Sequence, residues 1–252
     1  MEIDEHIRHL RDDGDLLADA AAAAGGDARV PTCPEWMVRD LVLHVGEVHR
    51  WAAATVNAPE GTRVGEEELA SAMAQAPTDF NDLVSWFRDG HRALVETLTA
   101  ADPHADSWHF LPAPSGTAFW ARRQAHETAI HRIDAERAVG HPHGFDAAFA
   151  VDGLDELLLG FTARRGGRLR SDEPCTLVVQ ATDTGDAWTV RIGPDGRLVT
   201  RATGNGDCVV KGPAEDLYVI LWNRRPVDGV AIEGDRSLLD LWRTTSTVRW
   251  GA

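Results

Sequence analysis

The run Arg123-Gln-Ala-His126-Glu127-Thr-Ala-Ile-His131-Arg-Ile-Asp134 is the densest knot of histidine and carboxylate in a chain whose eleven histidines all lie between His6 and His143. On a helix, residues four apart differ by roughly 40° around the axis, so Glu127 and His131 project side by side and can grip one metal ion. His126 and His131 are five apart and diverge by roughly 140°, so both cannot be ligands from one helix. The spacing is therefore not the zincin HExxH, in which two histidines share a face and the glutamate serves as base.

A metal held by Glu127 and His131 needs a third protein ligand, because catalytic zinc sites commonly use three protein groups and keep a position open. His44 is the candidate. It lies in a run where Met37, Leu41, Val48 and Trp51 repeat at helical spacing, which points it towards a core. A lone histidine on such a stripe is most often a buried group with a hydrogen-bond partner. Beside an inward Glu-x-x-x-His pair on another helix, the ligand reading is the preferred one.

The surrounding chain reads as helices first and strands afterwards. Ile3, Ile7, Leu10, Leu17 and Ala21 mark an amphipathic helix from Ile3 to about Ala24, stopped by Gly25-Gly26. Thr32 or Cys33 can cap a second helix, with Pro34 near its first position, running to about Val56. Asn57 to Pro77, with the acidic run Glu66-Glu67-Glu68, reads as a polar loop holding at most a short helix. Thr78-Asp79 caps a third helix with Phe80, Leu83, Val84, Phe87, His91, Leu94 and Leu98 on one stripe. A long aromatic loop from Ala101 to Gly116 leads into the fourth, from about Thr117 to Val139, which bears Glu127 and His131. Four such helices with inward ligands describe a four-helix bundle.

A further helix is expected from Asp146 to Arg164, and past Gly166-Gly167 the hydrophobic period changes. Cys175–Thr182, Trp188–Ile192, Leu198–Arg201 and Cys208–Lys211 read as short strands; a helix over Pro213–Trp222, a strand over Val227–Glu233 and a helix over Asp235–Trp242 complete a smaller α+β module. The expected domains are thus 1–165, helical and metal-binding, and 166–252, α+β.

Composition narrows the function. At 252 residues, with 43% hydrophobic and 26% charged content, the chain has an ordinary globular make-up. A formal net charge of −15 argues against a nucleic-acid partner, which calls for a basic face. No long apolar run and no signal-peptide pattern is present, so a cytoplasmic location with no membrane partner is expected. Cys33, Cys175 and Cys208 are too scattered for a disulfide framework. Lys211 is the single lysine against twenty-four arginines, the mark of a GC-rich coding sequence.

Thr32-Cys-Pro-Glu-Trp36-Met-Val-Arg-Asp-Leu41-Val-Leu-His44, together with Arg122-Arg-Gln-Ala-His-Glu127-Thr-Ala-Ile-His131-Arg-Ile-Asp134, resembles the mycothiol-dependent maleylpyruvate isomerase family. Glu35 stands where the family motif usually has glycine before the tryptophan. Gly212-Pro-Ala-Glu-Asp-Leu-Tyr-Val-Ile-Leu-Trp222-Asn-Arg224 is similar to the family's second domain. The resemblance implies a DinB-like metal-binding bundle with a sterol-carrier-like C-terminal domain, and actinobacterial hosts that use mycothiol, in keeping with the arginine bias. It implies His44, Glu127 and His131 as ligands of a divalent ion, zinc being expected, and mycothiol as thiol cofactor or co-substrate. The activity implied is attack of a metal-bound thiolate on a small electrophile, giving either isomerisation of the maleylpyruvate type or S-transfer. Arg92 and Arg224 are then the candidate carboxylate-binding cations, against their ordinary role as solvated surface. Asp134 is a candidate to support the ligand shell, or else pairs with Arg137 along the helix. A metal-dependent hydrolase that activates water and a non-catalytic metal-binding module are the alternatives.

Overall fold

Ile7, Leu10, Leu17 and Ala21 are buried along one face of α1 (Ile3–Ala24), which ends where Gly25 takes a φ of 79°, a value glycine adopts without steric cost. The computed structural model describes residues 1–65, 67, 70, 76–140, 142–164 and 166–246. Among them the chain forms two compact units, Met1–His143 and Gly144–Ala252. The boundary falls ahead of the helix that begins at Ala147 rather than at the 165/166 expected from the change of hydrophobic period: that helix packs on elements of the α+β unit, so its own contacts assign it there.

The first unit is a bundle of α1, α2 (Val38–Asn57), α3 (Phe80–Ala100) and α4 (Gly116–Val139). α1 packs mainly on α4 and α3, and α2 on α3 and α4, so α1 and α2 face each other across a diagonal. Leu17, Val38, Leu41, Val45, Leu83 and Phe87 meet in the middle. Asp79 caps α3, accepting from the amides of Asn81 and Asp82. Ser115 caps α4 through the amide of Ala118. α4 is unusual in being buried around its whole circumference from Gly116 almost to its end, charged side chains included. Of the polar stretch expected between α2 and α3, Glu66, Glu68, Leu69 and residues 71–75 lie outside the described residues.

The second helix starts later than the sequence suggests. Thr32 and Cys33 do not cap it; residues 30–36 close a turn in which the amide of Cys33 bonds the carbonyl of Val30 and the amide of Trp36 bonds that of Cys33. α2 begins after Met37, whose amide is taken by Asp40 Oδ2 at 2.8 Å. The local cap signals at Thr32 and Pro34 were outbid by bonds that Thr32 makes elsewhere in the bundle.

In the second unit, α5 (Ala147–Asp155) passes into a π-helical segment, Glu156–Thr162. A five-stranded sheet follows in the order β3-β2-β1-β4-β5, from β1 (Cys175–Ala181), β2 (Ala187–Gly193), β3 (Gly196–Thr200), β4 (Cys208–Gly212) and β5 (Ala231–Gly234). Among the described residues only β1 and β4 run parallel, with Val179 opposite Val210. α6 (Ala214–Leu221) connects β4 towards β5, and α7 (Ser237–Thr245) closes the unit. The strand expected from Val227 is shorter, beginning at Ala231.

Candidate metal centre

Glu127 and His131 sit one turn apart on α4, and the distance from His131 Nε2 to Glu127 Oε1 is 3.3 Å. His44, reaching across from α2, places its Nε2 3.5 Å from the same Glu127 oxygen. The apolar stripe of α2 runs through Val38, Leu41, Val42, Val45 and Ala52, so His44 stands on its flank instead of in its middle. Its side chain keeps 19% exposure, and this flank is the one that faces α4.

The donors have the spacing of a coordination shell. Bond lengths of about 2.0–2.1 Å at tetrahedral angles put ligand atoms roughly 3.3 Å apart. The three donor atoms all lie within 4.8 Å of one another, and the two measured edges match that spacing. His44 Nε2 and Glu127 Oε1 are both buried without a hydrogen-bond partner. Two orphaned polar atoms aimed at one point are costly unless something else binds them, so the residues fit a divalent ion.

Neighbouring groups set the orientation and charge of each donor. Asp134, fully buried, has Oδ2 2.9 Å from His131 Nδ1, which therefore donates to it and leaves Nε2 as the nitrogen that faces Glu127. Arg123 Nη2 donates to Glu127 Oε2 at 3.1 Å, so Oε1 is the oxygen turned to the imidazoles. Burial works to raise the pKa of Glu127, yet His131, His44 and Arg123 hold it well below the usual carboxylate range. Burial likewise disfavours a charged His131, but Asp134 and Glu127 outweigh it and raise its pKa. The Trp36 ring covers both imidazoles, 5.0 Å from that of His44 and stacked at 5.9 Å on that of His131.

His126 faces away from this cluster, its ring edge-on to His6 at 6.1 Å. Arg92 is largely exposed, paired with Asp89 at 3.1 Å, and lines an open cleft of about 550 Å³ with Arg11, Asp15 and His91; neither His44, Glu127 nor His131 borders it. Arg224 lies in the second unit, with Nη1 on the carbonyl of Trp222 at 3.0 Å. Arg123 was missed, although its place four residues before Glu127 is the spacing of a helical ion pair. Trp36, and the bonds of Thr32 and Cys33 to Asp134, had no local signal because they arise from a turn meeting a helix distant in sequence. His49 was also passed over: it is fully buried, has Nε2 2.8 Å from Thr128 Oγ1, and is kept neutral by burial and by nearby His91.

A helical bundle bearing an inward histidine–carboxylate–histidine cluster on two of its helices, followed by a separate α+β unit, defines the class of this protein. Residues 7–136 match the model of the mycothiol maleylpyruvate isomerase N-terminal domain and residues 148–241 that of the C-terminal domain of the same enzyme family. The chain belongs to that family. Two solved structures, of the mycothiol-dependent maleylpyruvate isomerase and of its histidine-to-alanine mutant, superpose with TM-scores of 0.61 and 0.63. Each is 15% identical to this chain and covers 92% of it and 93% of its own length, a likeness of fold. No curated protein matches the chain. Among the described residues, no helix is long and apolar enough to cross a membrane.

Proposed function

We propose that this chain is a metal-dependent enzyme that uses mycothiol on a small electrophile, as an isomerase of the maleylpyruvate type or an S-transferase. His44, Glu127 and His131 would hold the divalent ion, and two imidazoles with one carboxylate suit zinc. One observation carries the reading: His44 Nε2 and Glu127 Oε1 are buried, unpartnered and spaced with His131 Nε2 as ligands are. Bound there, a divalent ion supplies the positive charge that ionises a thiol at neutral pH, and the thiol sulfur supplies a nucleophile able to add to, and leave, an activated cis double bond.

The chain's own groups prepare that chemistry. Glu127 contributes one negative charge and the histidines none, so a divalent ion keeps net positive charge to stabilise an anionic sulfur. Arg123 neutralises the far oxygen of Glu127 and fixes its rotation. Asp134 keeps His131 in the tautomer that presents Nε2. Trp36 stacks on the imidazole of His131 and packs, tilted, against that of His44.

The test is calorimetry of mycothiol binding in buffers of different ionisation enthalpy. Zinc-loaded protein is expected to bind with release of a proton, and metal-stripped protein to bind far more weakly. Equal binding by stripped protein with no proton released would refute thiol activation at this site. Turnover of a metal-loaded sample that is indifferent to mycothiol would point to water activation instead.

A further inference from the structure

The turn that replaces the expected start of α2 holds Thr32, Cys33 and Trp36, all three directed at the cluster described above. Asp134 Oδ1 accepts from Thr32 Oγ1 at 2.5 Å, and Oδ2 accepts from Cys33 Sγ at 3.7 Å as well as meeting His131 Nδ1. An aspartate carboxylate has a broad, two-fold rotation about its last bond, so a helix alone does not fix which way its oxygens face. Thr32 removes that freedom by taking Oδ1, which commits Oδ2 to the imidazole.

The turn is itself well anchored. Val30 is wholly buried, and its amide bonds the carbonyl of Trp36 at 3.0 Å. Arg29 and Met37 form a bridge across its base, and the amide of Val38 bonds Ala28 at 2.8 Å. It leads straight into α2, the helix that carries His44, while Thr32 grips α4, the helix that carries His131. A single rigid turn therefore touches both halves of the ligand set.

Resting on the metal reading above, we propose that Thr32 and Cys33 are positioning residues for the metal centre: through Asp134 they fix the orientation of His131, so the turn sets metal affinity and coordination geometry. Outer-shell partners of metal ligands typically contribute roughly 10–100-fold in affinity. Thr32 acts one bond further out, so the low end of that range is expected.

Zinc affinity is measured by competition with a chromophoric chelator, and geometry by the visible spectrum of cobalt-loaded protein. Metal-free melting curves fix a temperature at which every variant is folded. Thr32→Val is expected to weaken zinc binding about tenfold and to shift the cobalt bands, whereas Thr32→Ser, which keeps the hydroxyl, stays within about twofold of wild type with an unshifted spectrum. Zinc affinity and cobalt spectrum unchanged in Thr32→Val, whatever its melting point, would make the turn a mere structural tie and overturn the inference. Should Thr32→Val not fold, Cys33→Ala is read in the same way. Wild-type protein that binds neither zinc nor cobalt would overturn the metal reading itself, a result visible before any variant is made.

Discussion

Arg123 and Glu127 lie one helical turn apart on α4 with both side chains buried, and the guanidinium holds one carboxylate oxygen while the other faces His44 and His131. Glu127 thus serves two partners at once. Glu127→Gln keeps an acceptor for Arg123 and the same bulk, so the metal-free protein should fold while zinc affinity drops by at least tenfold. Glu127→Ala leaves the buried guanidinium without that carboxylate and should also destabilise the metal-free bundle, by about 3 kcal/mol. Zinc titration and thermal melting of the two variants separate the roles.

His131→Ala should remove most bound zinc, since it deletes the Nε2 beside Glu127 Oε1. His126→Ala should lower stability by losing its buried packing on His6 and leave the metal content of folded protein unchanged. Metal analysis after gel filtration decides this; equal losses would contradict the separation of the two faces of α4.

Asp13 gives the bundle a pH dependence of definite sign. Burial pushes its carboxyl up to about 7, against the pull of Arg132 and with Glu136 and Asp12 adding to the rise. Arg132 is shared, with Nε 2.7 Å from Asp13 Oδ1 and Nη1 2.8 Å from Glu136 Oε2, and Glu136 also binds His143. Native Asp13 keeps its proton to about pH 7, whereas the unfolded chain releases it near 4. The native state then binds more protons across that window, so this contribution favours folding at the acid end and fades as pH rises. Asp13→Asn mimics the protonated form throughout. Its melting temperature relative to wild type should therefore climb between pH 5 and pH 8; a pH-independent difference would show that Asp13 does not titrate there.

Gly116 opens α4 where the aromatic loop returns. A Cβ on it would lie 2.2 Å from the carbonyl oxygen of Ser107 and 2.3 Å from its nitrogen, both backbone atoms with nowhere to go. Gly116→Ala should cost about 3 kcal/mol, lowering the melting point by roughly 10 °C, with zinc affinity of the folded protein retained.

Much of the bundle is legible because its signals are local. The stripe on α3 and its Asp79 cap, and the stop at Gly25, depend on residues within a turn or two of each other, and the structure uses them as read. The start of α2 was not legible, because Thr32 is a good capping residue that Asp134, 102 positions away, engages instead. The unit to which Ala147–Asp155 belongs is not legible either: its apolar pattern says that it packs, not on what. Arg92 follows His91 in sequence, but one residue along a helix turns a side chain by about 100°, so the stripe that buries His91 leaves Arg92 largely exposed and paired with Asp89.

The sequence by itself determined that Glu127 and His131 share a face, because four-residue spacing aligns side chains on any α-helix wherever it lies. It also determined that helices give way to strands, since a change of hydrophobic period is carried by each segment alone. Only the tertiary structure decided that His44 meets Glu127 from the flank of its helix, that Asp134 is clamped by Thr32, and that Trp36 covers both imidazoles. These contacts join segments distant in the chain, and they are set by how α2, α4 and the turn before α2 pack, a balance of burial over the whole bundle that no local spacing encodes.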